Sequence, residues 1–271
     1  MSMTRVLTGA ALIPVLLVIV WYLPPQYFLF LVLAGAATGQ HELYAMARAR
    51  GHRPIEVTGI VAGALLIIAV FTQLFSQQWM LRFGSIFPVT ACVLVVLAVR
   101  LFSRRPVDGA LEDVGATLLG ILYVALLFGF QVGIHRWFQG KQFLLFLYLV
   151  IWASDTGAYY VGTAFGKRRL YEKISPKKSI EGFMGGTAAA MIVALLCAFW
   201  LVKSLSAVEA VVLGMVLALA GTLGDLAESL LKRSAGVKDS GTLIPGHGGV
   251  LDRMDSMLFA APVLYYYLRM R

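Results

Sequence analysis

The stretch V-E-A-V-V-L-G-M-V-L-A-L-A-G-T-L-G-D-L-A-E-S-L, Val208 to Leu230, decides the fold. A bilayer's hydrocarbon core is about 30 Å thick and is crossed by about 20 mainly apolar residues in a helix. This run is long enough. From Ala210 to Leu223 it is apolar or small on every side, so a helix built from it has no wet face to offer a soluble protein. Its last turns carry Asp225 and Glu228, two acids placed where a membrane tolerates them poorly.

Working outward, eight further apolar runs appear, at about 6–23, 27–47, 57–75, 85–102, 114–134, 143–163, 183–202 and 256–268. The 271 residues are 59% hydrophobic and 14% charged, against about 25% charged in an average soluble domain. That composition excludes a soluble enzyme, a disordered chain and a nucleic-acid-binding module. The expectation is an all-α, polytopic integral membrane protein with about nine transmembrane helices. Residues 1–142 would hold spans one to five and 143–271 spans six to nine, in one integrated membrane domain. The first run has Pro14 in its middle and is followed by Leu23-Pro24-Pro25 rather than a small-residue cleavage site, so it reads as a retained span. Cys92 and Cys197 both sit in apolar runs and read as core packing.

The net charge of +9 is unevenly distributed. With the N-terminus inside, seventeen of the 23 Lys and Arg fall on the cytoplasmic side, including the two longest loops, 164–182 and 231–255. Nine spans then put the C-terminus outside. Basic cytoplasmic loops attract anionic headgroups and anionic substrates, so no nucleic acid is needed to explain the charge.

Ionisable residues inside spans are candidates for function. Next to His41, Glu42 has Arg48 and Arg50 within two turns as salt-bridge partners, and Glu228 has Lys232 at i+4. Asp155 and Asp225 have no basic residue three or four positions away, and each follows small residues that allow close approach of a helix or a ligand. The stretch 229–255 gathers Lys232, Arg233, Lys238, Asp239, Asp252, Arg253 and Asp255 around the turn Pro245-Gly246-His247-Gly248-Gly249. Asp252 and Asp255 share a helical face, and hard carboxylate oxygens so placed suit Mg²⁺. Gly246, Gly248 and Gly249 let backbone N–H groups reach a phosphate, and a helix beginning near Val250 would aim its positive end at that anion. Upstream, Ser175-Pro176-Lys177-Lys178-Ser179 reads as a turn offering two lysines and two hydroxyls to a headgroup or a triphosphate.

At these residues the chain resembles the integral-membrane phosphatidate cytidylyltransferases, or CDP-diacylglycerol synthases. Their signature, S-x-[aliphatic]-K-R-x4-K-D-x-[small]-x2-[aliphatic]-[P/G/S]-x-H-G-G-x-x-D-R-x-D, is met at every specified position from Ser229 to Asp255. S-D-T-G-A-Y at 154–159 and S-P-K-K-S-I-E-G at 175–182 also look like family elements, although Ser179 and Ile180 stand where members often carry Thr and a larger aromatic. The specific resemblance covers roughly 150–268. It implies a bacterial cytoplasmic (inner) membrane enzyme acting on CTP and phosphatidic acid, with membrane lipids around it. The implied cofactor is Mg²⁺ at Asp225 and Asp252, with Asp255 helping, and a monovalent cation such as K⁺ has been associated with the same site. Lys232, Arg233, Lys238, Asp239 and Arg253 would complete the catalytic set. Ser175, Lys177, Lys178, Ser179, Gly246, His247, Gly248, Gly249 and Asp155 would serve substrate phosphate, and a homodimer is an open expectation. Two other readings use the same residues. One is a CTP-dependent polyprenol or lipid-alcohol kinase. The other is an ion-coupled transporter, for which no internal repeat is visible.

Overall fold

The computed structural model describes residues 14–72, 86–243 and 248–271. Its helices are α1 (Pro25–Ala49), α2 (Glu56–Phe71), α3 (Phe87–Leu101), α4 (Ala110–His135), α5 (Gly140–Phe165), α6 (Ile180–Trp200), α7 (Ala207–Ala235) and α8 (Leu251–Met270). Each covers one of the apolar runs read from the sequence. Of the first run, residues 14–21 are helical, and those up to 13 lie outside the described residues. Among the described residues, four helices, α4 to α7, are long and apolar enough to cross a membrane, and α2 and α3 are shorter apolar helices of 16 and 15 residues. Large apolar side chains such as Phe30, Leu65, Leu94, Phe199 and Leu219 stand exposed on these helices. A lipid environment would cover them at no cost, whereas water would not. The chain is a polytopic, mainly helical membrane protein.

The all-α expectation needs one correction. The loop after α5 holds a two-stranded antiparallel sheet, β1 (Arg169–Tyr171) and β2 (Ser175–Ser179), with Tyr171 opposite Ser175 and Arg169 opposite Ser179. Ser175 to Ser179, expected as a turn, is therefore a strand, and the turn is made by residues 172–174. Pro176 has no N–H to give, which a strand in a two-stranded sheet tolerates because one of its edges is unpaired.

The chain divides into two compact units. The first is Met1–Gly133 with Ala235–Arg253, and the second is Ile134–Ser234 with Met254–Arg271. In the first, α1, α2 and α4 pack around Tyr44, which is fully buried. The Tyr44 hydroxyl donates to the Thr117 carbonyl at 3.0 Å. Just below, Asp113 accepts from the Arg53 N–H at 2.6 Å and pairs with Arg100 at 3.3 Å, with both side chains of the ion pair nearly buried. From Gly120 to Leu126 the turns of α4 widen to the π form.

In the second unit the closest helix pair is α5 with α6. Their contact is lined by small residues. A Cβ at Gly186 would stand 2.6 Å from the Ser154 carbonyl oxygen, so only glycine lets the two backbones meet there. Ser179 ends β2 and caps α6, its hydroxyl oxygen accepting from the Gly182 N–H at 3.1 Å. Such a cap contributes about 1 kcal/mol.

Candidate active site

In the first unit, the site is built where the chain re-enters a helix at α8. Gly248 has φ +79°, a backbone conformation that side chains disfavour. Beyond it, Asp252 turns back in the first turn of α8. Its Oδ2 accepts from the Gly249 N–H at 2.8 Å, the Ser240 N–H at 3.0 Å and the Ser240 hydroxyl at 3.0 Å. The next two amides go to a different acid. Glu42, two turns from the end of α1, accepts from the Val250 N–H at 2.9 Å and the Leu251 N–H at 2.8 Å. It also lies 2.9 Å from the Ser240 hydroxyl.

These bonds bear on two expectations. The amide of Gly249, expected to approach a phosphate, is donated to Asp252, and those of Val250 and Leu251 to Glu42. Glu42, read as a partner for Arg48 or Arg50, is turned instead toward the turn before α8. The arginine at 48 pairs with Glu56, which also holds His41 at 2.5 Å. The physical reason is the accounting at a helix start, where the first amides have no partner within the helix. A buried carboxylate beside them satisfies two at once.

In the second unit, Asp225 projects from α7 to meet Lys178 of β2, with Nζ to Oδ2 at 2.5 Å, while the Ser229 hydroxyl donates to Oδ1 at 3.3 Å. One turn on, Glu228 is fully buried and pairs with Lys232 at 2.6 Å, the i,i+4 bridge that its spacing anticipates. The Arg233 Nε donates to the Ile174 carbonyl at 3.3 Å, tying the end of α7 to the β1–β2 turn. Gly221 and Gly224 bring α7 against α8. A Cβ at Gly221 would lie 3.5 Å from Ser256, and one at Gly224 would overlap the Asp255 carbonyl. Asp255 thereby lies beside the part of α7 that carries Asp225, and its Oδ1 accepts from the Ser256 N–H at 2.6 Å.

The remaining candidates are distributed more loosely. Lys177 is exposed, and as a strand neighbour of Lys178 it faces the opposite side. The buried Ser179 uses its hydroxyl oxygen as the α6 cap. Ser175 is half-buried opposite Tyr171. Asp155 is exposed on α5, and Lys238, Asp239 and Arg253 are exposed. Gly246 and His247 lie outside the described residues. Among the described residues no three His, Cys, Asp or Glu side chains gather as a metal-binding group. Both cysteines are free and buried, as expected.

Comparison with known proteins adds an independent line. The model of the "Cytidylyltransferase family" matches residues 3–271. A protein of Bacillus subtilis (strain 168) named phosphatidate cytidylyltransferase is 35% identical over 270 residues, covering 97% of this chain and 96% of its own length. One of the same name from Synechocystis sp. is 33% identical over 276 residues, covering 92% of this chain and 88% of its own. A third, from Staphylococcus aureus (strain COL), is 35% identical over 210 residues, 78% of each chain. The match reaches well beyond the signature, into the first five apolar runs, where the sequence alone suggested likeness only in hydropathy.

Proposed function

The chain belongs to the cytidylyltransferase family, and we propose that it joins the cytidylyl group of CTP to phosphatidic acid, releasing pyrophosphate and leaving CDP-diacylglycerol in the membrane. The observation that carries this reading is identity of 35% along nearly the whole chain to a phosphatidate cytidylyltransferase, with every specified position of the 229–255 signature filled.

A phosphate oxygen of phosphatidic acid attacks the α-phosphorus of CTP. That P–O bond forms as the bond from the α-phosphorus to the oxygen bridging the β-phosphate breaks, and pyrophosphate departs with the electron pair. The nucleophile is already anionic, so the chain needs no strong general base. Its work is to bring two polyanions together, align them, and stabilise charge on the leaving group. Lys178, Lys232, Arg233 and Lys238 supply the positive charge. Two of these lysines rest on carboxylates, Lys178 on Asp225 and Lys232 on Glu228. An arriving phosphate competes with Asp225 for the half-buried Lys178 ammonium, and the carboxylate so released is then open to a cation, whereas Glu228 is fully buried and keeps Lys232.

The donor chemistry fits Mg²⁺, which uses one or two carboxylates together with substrate phosphates and water rather than a cage built by protein alone. Asp225 and Asp252, with Asp255 beside α7, would hold it. When bound, the ion neutralises phosphate charge and helps template an in-line displacement. A monovalent cation such as K⁺ would share this acidic surroundings.

We also propose nine spans in a bacterial cytoplasmic membrane, with the N-terminus and the 164–182 and 231–255 loops inside. The excess of Lys and Arg on that side supports it. A reporter fused after Arg271 is then periplasmic in a Gram-negative host, and cytoplasmic behaviour would remove a span from the count.

Labelled CTP tests the reaction. With phosphatidic acid and Mg²⁺, label at the α-phosphate should enter the lipid while label at the γ-phosphate leaves as pyrophosphate. Label from the γ-phosphate in a lipid, with CDP released, would instead make the chain a lipid kinase.

A further inference from the structure

Glu42, on α1, reaches the signature segment by hydrogen bonds, and its surroundings are unusual for an acid in an apolar helix. It is 5% exposed. Its three partners, Ser240, Val250 and Leu251, lie 198, 208 and 209 residues along the chain. Both of its oxygens are used: Oε1 by Val250, and Oε2 by Leu251 and Ser240. The backbone closes round it as well. A Cβ at Gly241 would stand 2.7 Å from Oε1, and one at Gly249 would stand 2.5 Å from Oε2. A side chain at Gly241 or Gly249 would therefore displace the Glu42 carboxylate.

The link to Asp252 is direct. The Ser240 hydroxyl lies between the two acids, 2.9 Å from Glu42 and 3.0 Å from Asp252. It has one hydrogen, so it serves one carboxylate at a time. The three successive amides from 249 to 251 are divided between the same two acids. Moving either carboxylate therefore disturbs the donors of the other.

We propose that Glu42 is a positioning residue for the reaction: from α1 it holds the first turn of α8 and Ser240 so that the Asp252 carboxylate keeps one orientation, and it touches no substrate itself. The inference rests on the role given to Asp252 above. Outer partners that orient a metal-binding carboxylate typically change affinity or activity by about 10- to 100-fold when altered.

The test uses the full-length protein in detergent with phosphatidic acid micelles. Glu42→Gln keeps the size but turns one acceptor into an NH₂ group that faces a backbone N–H or the Ser240 hydroxyl. Its kcat should fall about 10- to 100-fold and its Mg²⁺ requirement should rise, with the KM for CTP little changed. Glu42→Asp keeps the charge on a shorter arm and should recover part of the loss. Hydrogen–deuterium exchange provides a readout apart from turnover. The peptide covering 248–253 should exchange faster in Glu42→Gln, while peptides from α5 and α6 stay protected. Normal kcat per folded molecule with normal Mg²⁺ dependence would overturn the proposal, as would unchanged exchange at 248–253. If Glu42→Gln does not accumulate, Ser240→Ala removes the shared hydroxyl alone. The same kcat loss with little change in KM supports the proposal, and wild-type kinetics in both Ser240→Ala and Glu42→Asp overturn it. Asp252→Asn run in parallel separates the two ideas. An active Asp252→Asn defeats the assigned role of Asp252, whereas an inactive one beside a normal Glu42→Gln defeats only the role of Glu42.

Discussion

Two groups of acids in this chain are satisfied in opposite ways. Around the start of α8, the partners of Glu42 are neutral, and Asp252 Oδ2 is held by two backbone amides and a hydroxyl. On α7, Asp225 and Glu228 meet ammonium groups, at 2.5 and 2.6 Å. Backbone amides cannot leave, because they belong to a turn and a helix. A lysine ammonium sits on a flexible four-carbon stem and can change partner at little cost. The first group is therefore a fixed mount, and in the second the half-buried Asp225–Lys178 pair is exchangeable while the buried Glu228–Lys232 pair is not. For an enzyme that binds two polyanions, the mount can orient a carboxylate while Lys178 is handed to phosphate.

The largest expected effect follows from the fixed mount. Asp252→Asn keeps the shape but places an amide where three donors converge and removes the charge that would hold Mg²⁺. Turnover should fall on the order of 10³-fold, the rate equivalent of several kcal/mol of lost transition-state stabilisation, with membrane insertion unchanged. Normal turnover would mean that the mount serves only the fold.

Much of this was legible in the chain. The apolar runs located the helices to within a few residues, as 183–202 against Ile180–Trp200 shows. Spacing alone anticipated the Glu228–Lys232 bridge. The partners of Glu42 were not legible, because they are about 200 residues away and nearby Arg48 and Arg50 offered a simpler pairing. Lys178 and Asp225 are separated by a whole span, so periodicity could not join them. The hairpin was hidden for another reason. Its strands are three and five residues long, and β2 is built from Ser, Pro and Lys, with no alternation of apolar and polar residues to mark a strand.

The exchangeable pair gives the next effect. Lys178→Gln should raise the KM for CTP or phosphatidic acid about tenfold or more, the loss of a charge-assisted hydrogen bond to phosphate. Lys177→Gln, altering an exposed neighbour on the other face of β2, should do much less. Equal effects from the two would show that the strand lysines act as a diffuse positive field and that the Asp225 pair has no special part. Steady-state kinetics over both substrates distinguish these outcomes.

Glu228 separates pairing from substrate handling. Its carboxylate is fully buried, and breaking a buried pair costs about 3 kcal/mol because the partner charge is left behind. Glu228→Gln should lower the thermal unfolding midpoint in detergent, with a smaller effect on kcat measured well below that midpoint. A stable protein with badly impaired turnover would move Glu228 into the chemistry. The smallest effect belongs to the cysteines. Cys92→Ala and Cys197→Ala, together or singly, should leave kcat and both KM values unchanged, since both thiols are buried packing. Loss of turnover in either would place a thiol in the reaction.

The proposed function has Asp225 and Asp252 act as one unit on one Mg²⁺. The direct measurement is turnover of Asp225→Asn, Asp252→Asn and the double mutant, each across a Mg²⁺ titration. Residues that act as a unit are strongly non-additive, so the double mutant should be little worse than either single one, and both single mutants should show a raised Mg²⁺ requirement. Losses that multiply, with wild-type Mg²⁺ dependence in both single mutants, would contradict it.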